Sequence, residues 1–233
     1  MTDSELGLEK RLRIRKDKLV NKMDKIEESA AKRLFVDMDG TLAEFKQVDA
    51  IEQLYEKDYF KNLSPQLSVV EAVRGIVKEC PDIEVYILSA VLSDSAYALR
   101  EKNEWLDRYL PEIDEAHRLF PPCGSDKKEF IRGGVTSSDY LLDDYTVNLN
   151  TWDPPARGIK LLNGINHTGG TWQKTMVRWD QDARMLELEI VEIMRSEQGI
   201  VHCISEGSAP LENGQASPHK ATEMRSNKGK RSR

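Results

Sequence analysis

Short apolar runs alternate with amphipathic stretches through the middle of the chain, and this alternation predicts an α/β fold. The runs have the length of buried strands, and the longer stretches repeat apolar residues every three or four positions, as one helix face does. Strands that alternate with helices favour a parallel sheet with helices on both faces. Strands are predicted at 33–38, 83–88, 116–120, 139–142 and 158–162, the last being taken as the final strand. Helices are predicted at 6–28, 66–79, 93–110, 126–132 and 177–198.

The segment at 44–65 separates the first strand from the first core helix and is too long for an ordinary connection between them. It is rich in aromatic and charged residues, so we expect a small cap inserted after the first strand. Ser93 is the predicted N-cap of the helix that Pro111 ends. The predicted organisation is a basic amphipathic helix at 1–30, an α/β domain at 31–173, a helical extension at 174–205 and a disordered basic tail at 206–233.

The formal net charge of −6 is unevenly distributed, because both ends of the chain are basic and the middle is strongly acidic. An acidic body does not favour nucleic-acid binding, and it needs a metal ion or local cations to handle an anionic substrate. The three cysteines lie far apart, the first residues form no apolar leader, and no apolar run is long enough to cross a membrane. We therefore expect a cytoplasmic protein without a membrane partner, a disulfide framework or a cysteine-type zinc site.

Candidate catalytic residues follow the predicted strands at the points where the strands end. Asp37 and Asp39 come after the first strand, Ser89 after the second, and Asp143 and Asp144 after a later one. The carboxyl ends of parallel strands share one edge of the sheet, so these side chains are expected to meet there. The glycine after Asp39 permits the turn that brings both carboxylates into one site. Such a pair can bind a divalent cation and divide the roles of nucleophile and general acid/base.

Four motifs occur in order: D-x-D-G-T at 37–41, an apolar strand ending in Ser89, the lysine Lys127, and an apolar strand ending in paired acids at 141–144. Together they resemble the motifs of the haloacid dehalogenase (HAD) superfamily of phosphohydrolases. The segments DMDGTLAEF, EKNEWLDRYL, SDKKEF, LLDDYTVNL and GIKLLNGIN, all within 33–173, are similar to the 5'(3')-deoxyribonucleotidase family, also called cytosolic type C 5'-nucleotidases. The resemblance implies a HAD-like, Rossmann-type parallel sheet with a small cap. It also implies a phosphomonoesterase that uses Mg2+ to hydrolyse 5'- and 3'-phosphates of (deoxy)ribonucleoside monophosphates.

The resemblance assigns a role to each motif residue. Asp37 is implied as the nucleophile that forms an aspartyl-phosphate, and Asp39 as the general acid and base. Mg2+ is implied to bind Asp37, the backbone carbonyl of Asp39 and Asp144, with Asp143 as the alternative acid. The remaining motif residues and one helix lysine would hold the phosphate group. These are Ser89, the backbone N–H of Ala90, Lys102, Lys127 and Thr41, and Thr41 would also brace the first motif.

Three aromatic residues of the cap region are implied to contact the nucleobase. Phe45 follows the predicted nucleophile by eight residues, and Tyr59 and Phe60 form an aromatic pair in the cap. Aromatic walls suit a flat base because stacking is strong and tolerant of base identity. The alternative for all three is ordinary packing inside the cap, and the alternative for Lys102 is an exposed helix lysine.

Two other functions stay open from the sequence. The same chemistry could act on another small phosphomonoester, since a small cap leaves the site open. The domain could also be a HAD-like binding module without catalysis, although every catalytic position carries a competent residue. A homodimer is a further open alternative.

Overall fold

The computed structural model describes residues 31–46 and 48–196. The helix predicted at 6–28 and the tail predicted at 206–233 lie outside the described residues. Within them the chain forms one six-stranded sheet in the order β3-β2-β1-β4-β5-β6, and all neighbouring strands are parallel. The strands are β1 Lys32–Val36, β2 Ile83–Leu88, β3 Arg118–Leu119, β4 Asp139–Asp143, β5 Arg157–Leu162 and β6 Met176–Arg178. The predicted α/β class with a parallel sheet is confirmed.

Within the described residues, four α-helices and four short 3-10 turns accompany these strands. The helices are α1 Leu67–Glu79, α2 Ala98–Tyr109, α3 Thr146–Trp152 and α4 Ala183–Arg195. The 3-10 turns are Ile51–Tyr55, Phe60–Asn62, Glu115–His117 and Lys127–Phe130. None of the helices in the described part of the chain has the length and apolarity needed to cross a bilayer.

Alternation along the strands divides the core between the two faces of the sheet. In β1, Leu34 and Val36 pack into the cluster formed with α1, α2 and α4, whereas Phe35 packs into the cluster on the other face. That second cluster contains Leu149 and Trp152 of α3. Helices therefore cover both faces, as the sequence pattern predicts.

Two helix starts predicted from the sequence are wrong. Helix α2 begins at Ala98 rather than near Ser93. Its N-cap residue is Tyr97, and Ser95 Oγ just before it accepts the backbone N–H groups of Tyr97 and Ala98. The helix predicted at 177–198 begins at Ala183, because Asp182 accepts the N–H groups of the two residues that follow Ala183 and caps the helix there.

The strand at 157–162 is not the last one, which corrects the prediction from the sequence. Residues 176–178 form β6, which pairs in parallel with β5 at the edge of the sheet. The following helix α4 packs against α1, where the Glu187 side chain lies directly over Gly75, a position without room for a Cβ atom. Residues 176–195, predicted as part of an extension, thus contribute a strand and a core helix.

The inserted segment at 44–65 is small, as expected, and contains only the 3-10 turns Ile51–Tyr55 and Phe60–Asn62. It returns to the body through an antiparallel bridge between Ala43 and Pro65. The predicted helix at 126–132 is likewise a single 3-10 turn at 127–130, started by the Asp126 side chain. Helix α3 is missing from the predictions because it has only seven residues.

Candidate active site

The candidate site lies where the strand order of the sheet reverses, between β1 and β4. Val36 is in register with Leu142, and the Asp37 N–H donates to the Leu142 carbonyl at 2.9 Å. The pairing therefore brings Asp37 and Asp143 out of the sheet side by side. A crevice at the carboxyl ends of strands flanking such a reversal is the usual binding place in this architecture.

Three buried carboxylates meet at this edge. Asp37, Asp143 and Asp144 each place an oxygen within 4.8 Å of the other two. Oxygen atoms from carboxylates are the ligands that Mg2+ and other hard divalent cations prefer. The sequence predicted that these three residues would come together, and the structure places them together.

Lys127 lies between two of these carboxylates. Its ammonium donates to Asp37 Oδ1 and to Asp143 Oδ2, both at 2.7 Å. Burial opposes its charge, but the carboxylates of Asp143 and Asp37 outweigh burial and raise the pKa of Lys127 above its usual value. Asp143 also accepts hydrogen bonds from the Tyr145 N–H at 2.7 Å and from Asn148 at 2.9 Å. Both oxygens of Asp143 are thus used within the protein.

Asp144 is held differently. Its Oδ2 accepts from Asn163 Nδ2 at 2.9 Å and from Asn166 Nδ2 at 2.6 Å. Its Oδ1, like Oδ2 of Asp37, accepts no hydrogen bond from the described residues. Burial, followed by the charges of Asp143 and Asp37, raises the pKa of Asp144 to about 7. The open oxygens of the cluster therefore belong to Asp37 and Asp144 rather than to Asp143.

The loop requires glycine at position 40, because both its backbone conformation and the space around it exclude a side chain. Its φ is +84°, and a Cβ atom would lie 2.5 Å from Oδ2 of Asp144. Its carbonyl accepts from Gln66 at 2.7 Å and from Asn163 at 2.5 Å. Thr41 is fully buried, and its Oγ1 accepts the N–H of Asp144 at 3.2 Å. Thr41 thus braces the loop.

Lys102 reaches the site from α2 and is fully buried, so the exposed-lysine alternative is wrong. Its ammonium donates to Asp39 Oδ2 at 2.6 Å, to Ser89 Oγ at 3.0 Å and to the Ala90 carbonyl at 2.7 Å. The second oxygen of Asp39, Oδ1, is buried without a hydrogen-bond partner among the described residues. Burial, followed by the charge of Asp37, raises the pKa of Asp39 despite the neighbouring ammonium of Lys102. This environment makes Asp39 a weaker acid than an ordinary aspartate.

A cavity of about 330 Å³ opens above these groups. Its lining includes Asp37, Asp39, Ala90 and Asp144, together with the half-buried ring of Phe45. The remaining residues of the lining are Tyr145, Asn148, Ile165 and Asn166.

The two other aromatic residues predicted to contact a base lie elsewhere. Phe60 is buried, and the Lys102 ammonium lies 5.0 Å from its ring centre, so this ring covers the lysine instead of facing the cavity. Tyr59 packs edge-on against Phe60, and its hydroxyl donates to the Lys46 carbonyl at 2.9 Å. An apolar ring in the cap shields a buried ammonium from water at this point, which a pattern of aromatic residues alone does not reveal.

Sequence reasoning missed the amide side chains of the site. Asn163 and Asn166 hold Asp144, and Gln66 holds the Gly40 carbonyl. Asn163 and Gly164 directly follow β5. Their place after β5, at the same edge of the sheet as the acids, was the available signal.

The chain matches the family described as "5' nucleotidase, deoxy (Pyrimidine), cytosolic type C protein" over residues 42–188, which is more than half of its length. The match begins directly after the D-x-D-G-T motif and so does not include Asp37 and Asp39. The evidence that these two acids belong to the site is the pairing of β1 with β4.

Two curated relatives carry the name "Putative 5'(3')-deoxyribonucleotidase". One, from Staphylococcus epidermidis, is 29% identical over 100 residues, which are 43% of this chain and 49% of the relative. The other, from Staphylococcus aureus strain Mu50, is 27% identical over 123 residues, which are 53% of this chain and 57% of the relative. The chain thus spans about half the length of the curated relatives it matches.

Proposed function

The chain belongs to the family of cytosolic type C 5'-nucleotidases, and on that premise we propose that it is a magnesium-dependent phosphatase of (deoxy)ribonucleoside monophosphates. The observation that carries the proposal is the pairing of each acid of the D-x-D motif with its own buried lysine. Lys127 binds Asp37 and Lys102 binds Asp39, and the two acids line one open cavity. This arrangement supplies a nucleophile and a separate proton donor.

Asp37 is the nucleophile in this mechanism. Lys127 holds Oδ1, so Oδ2 is the oxygen that attacks phosphorus. A bond forms between Asp37 and phosphorus while the bond from phosphorus to the nucleoside oxygen breaks, which leaves an aspartyl-phosphate. Asp39 protonates the departing oxygen; its Oδ1 has no hydrogen-bond partner among the described residues, and its raised pKa favours proton transfer more than that of an ordinary aspartate. Asp39 then takes a proton from the water that hydrolyses the aspartyl-phosphate.

The donor set fits a magnesium ion. Three buried carboxylates cluster there, and the Lys127 ammonium pairs with two of them. The pKa of the third, Asp144, is raised by burial and by the charges of Asp143 and Asp37. Asp37, Asp144 and the backbone carbonyl of Asp39 would hold the ion, and Asp143 would orient Lys127. When bound, Mg2+ would offset the repulsion between the carboxylates and a phosphate dianion. The remaining contacts to phosphate would come from Ser89, the Ala90 N–H, Lys102 and Lys127.

The base of the substrate would stack on Phe45, which lines the same cavity as the two catalytic acids. The family description contains the words deoxy and pyrimidine, and the names of the two relatives specify 5' and 3' positions. Both support a small nucleotide as the partner of the site. The word "cytosolic" in the family description supports a cytoplasmic location.

The test is phosphate release from a panel of 5'- and 3'-ribo- and deoxyribonucleoside monophosphates and 4-nitrophenyl phosphate, with Mg2+ and with EDTA. We expect metal-dependent turnover that Asp37→Asn lowers at least about a thousandfold. Asp180→Asn, at an exposed acid paired with Arg178, is the control and should leave turnover unchanged. Phe45→Ala should raise the KM for nucleotides about tenfold, because stacking is worth about 1–3 kcal/mol per base. Turnover of the aryl phosphate alone would refute the nucleotide assignment, and silence on every substrate would refute catalysis.

A further inference from the structure

We infer that Glu101 is a positioning residue for the proton-donating acid Asp39, acting through the cap residue Phe60 and through Lys102. The inference rests on the proposed function and adds a residue to it. Glu101 touches neither the cavity nor the carboxylate cluster. Its neighbours in sequence and in space connect the cap to the acid that serves the leaving group.

Glu101 is a fully buried carboxylate at the start of α2. Its Oε1 accepts the backbone N–H of Asp58 at 2.6 Å, and its Oε2 accepts the backbone N–H of Phe60 at 3.1 Å. Asp58 has a φ of +69°, a left-handed conformation that a residue with a side chain adopts at a cost. The carboxylate thus binds the backbone at both ends of the strained turn 58–60, which contains the only positive-φ residue other than glycine in the described part of the chain.

These two hydrogen bonds hold the backbone of Phe60 and thereby the position of its ring. The ring centre lies 5.0 Å from the Lys102 ammonium, which donates to Asp39 Oδ2, Ser89 Oγ and the Ala90 carbonyl. An ammonium held by three oxygens and one aromatic face has little freedom to move. Because Lys102 binds Asp39 Oδ2 at 2.6 Å, its position fixes the orientation of that carboxyl group.

Burial of the charged Glu101 side chain costs folding free energy, which favours a specific role for this residue. No lysine or arginine of the described residues forms an ion pair with it, and its only hydrogen-bond partners there are the two backbone N–H groups. Burial of an unpaired carboxylate is expensive, even with the help of a helix N-terminus. A neutral glutamine could satisfy only one of the two N–H groups, because its amide nitrogen is itself a donor.

Glu104 offers a matched comparison on the next turn of α2. It contacts the same cap segment through Lys61 at 2.9 Å and also pairs with Arg100. Its side chain is 38% exposed, and it grips no backbone of the strained turn. A change at Glu104 therefore perturbs the attachment of the cap without reaching Phe60 or Lys102.

The experiment compares wild type, Glu101→Gln and Glu104→Gln on three substrates that differ in leaving group. These are deoxythymidine 5'-monophosphate, phenyl phosphate and 4-nitrophenyl phosphate. An alkoxide needs a proton from Asp39 to depart, phenolate needs it less, and 4-nitrophenolate hardly needs it. General acid catalysis contributes about 10²–10⁴-fold, so partial misplacement of the acid should cost about tenfold.

We expect Glu101→Gln to lower kcat/KM about tenfold for the nucleotide, less for phenyl phosphate and less than about twofold for 4-nitrophenyl phosphate. KM for the nucleotide should stay within about twofold of the wild-type value. Glu104→Gln should change none of these values. Phe60→Leu keeps an apolar side chain over Lys102 but removes the ring, and it should give the same order of losses, so the inference stays testable if Glu101→Gln fails to fold.

Three outcomes would overturn the inference. An increased nucleotide KM with unchanged kcat would mean that Glu101 only shapes the cap for binding. Equal losses on all three substrates would mean a general loss of folded enzyme. If the wild type is active and the losses in both variants are independent of the leaving group, only the inference fails. If the wild type is inactive on all three substrates, the proposed function fails as well.

Discussion

Replacing Asp144 by asparagine is expected to stabilise the metal-free protein and to abolish its stabilisation by Mg2+. Asp144 is buried beside Asp143 and Asp37, and burial with these charges raises its pKa from 3.8 to about 7. The substitution removes one of three crowded negative charges. It keeps the hydrogen bonds from Asn163 and Asn166, at 2.9 Å and 2.6 Å, because the new amide oxygen can accept both.

The magnitude follows from the difference between the folded and unfolded pKa values. One pKa unit corresponds to about 1.36 kcal/mol, so the rise from 3.8 to about 7 amounts to roughly 4 kcal/mol at a pH above 7. Because the folded state holds the proton more tightly, the wild type loses this stability as the pH rises from 3.8 through about 7. The advantage of the variant should therefore grow from about 2 kcal/mol at pH 5 to about 4 kcal/mol at pH 8, the latter being an upper bound because the site can relax.

The assay is thermal unfolding in EDTA at pH 5 and pH 8, repeated at pH 8 with Mg2+. For a domain of this size 1 kcal/mol corresponds to about 2–4 °C, so we expect Asp144→Asn to melt roughly 10 °C above wild type at pH 8 in EDTA. Added Mg2+ should raise the melting temperature of the wild type and leave that of the variant unchanged. The reasoning would be refuted if the variant were no more stable than wild type in EDTA, or if the difference in stability were the same at both pH values. Either result would show that folding does not raise the pKa of Asp144.

Two further substitutions test the packing of the site. Lys127→Met should destabilise the protein by about 3–5 kcal/mol in urea unfolding, because it leaves two buried carboxylates without their cation, and a second change, Asp143→Asn, should restore part of the loss; no recovery in the double variant would argue against the pairing. Gly40→Ala should lower the melting temperature and weaken Mg2+ binding, because its Cβ atom would lie 2.5 Å from Asp144 Oδ2. Gly134→Ala has a similar φ of +80° and no atom within 4 Å, so a loss at Gly40 no larger than at Gly134 would exclude the clash as the cause.

The sequence predicted the central strands and the acids well because their signals are local. Residues 83–88 form the second strand as predicted, since apolar and aromatic residues dominate this short run, IEVYIL. The short elements could not be predicted in this way. The strand β6 has only three residues, of which Val177 alone is buried, and no periodicity can be recognised over that length.

Lys102 and Phe60 show the other limit of prediction. The pattern along α2 gives Lys102 the appearance of a surface residue, yet the ammonium is buried because the helix crosses the carboxyl edge of the sheet beside Ser89. The family resemblance implies that Phe60 contacts the nucleobase, but its buried ring lies 5.0 Å from the Lys102 ammonium, two residues after the positive-φ residue Asp58. Both outcomes depend on how distant segments meet, and no local pattern encodes that.

The site has two arms that belong to different parts of the fold. The arm that faces phosphate and metal consists of Asp37, Asp144 and Lys127, which β1, β4 and the turn at 127–130 hold in place. The arm that faces the leaving group consists of Asp39 and of Lys102, which also contacts phosphate in the proposed mechanism, and α2 links this arm to the cap. Direct contacts share charge along each arm, and the arms meet at Asp37 and Asp39, where the charge of Asp37 helps to raise the pKa of Asp39. Substitutions in α2 should therefore alter the dependence of the rate on the leaving group, and substitutions around β4 should alter the affinity for metal and phosphate.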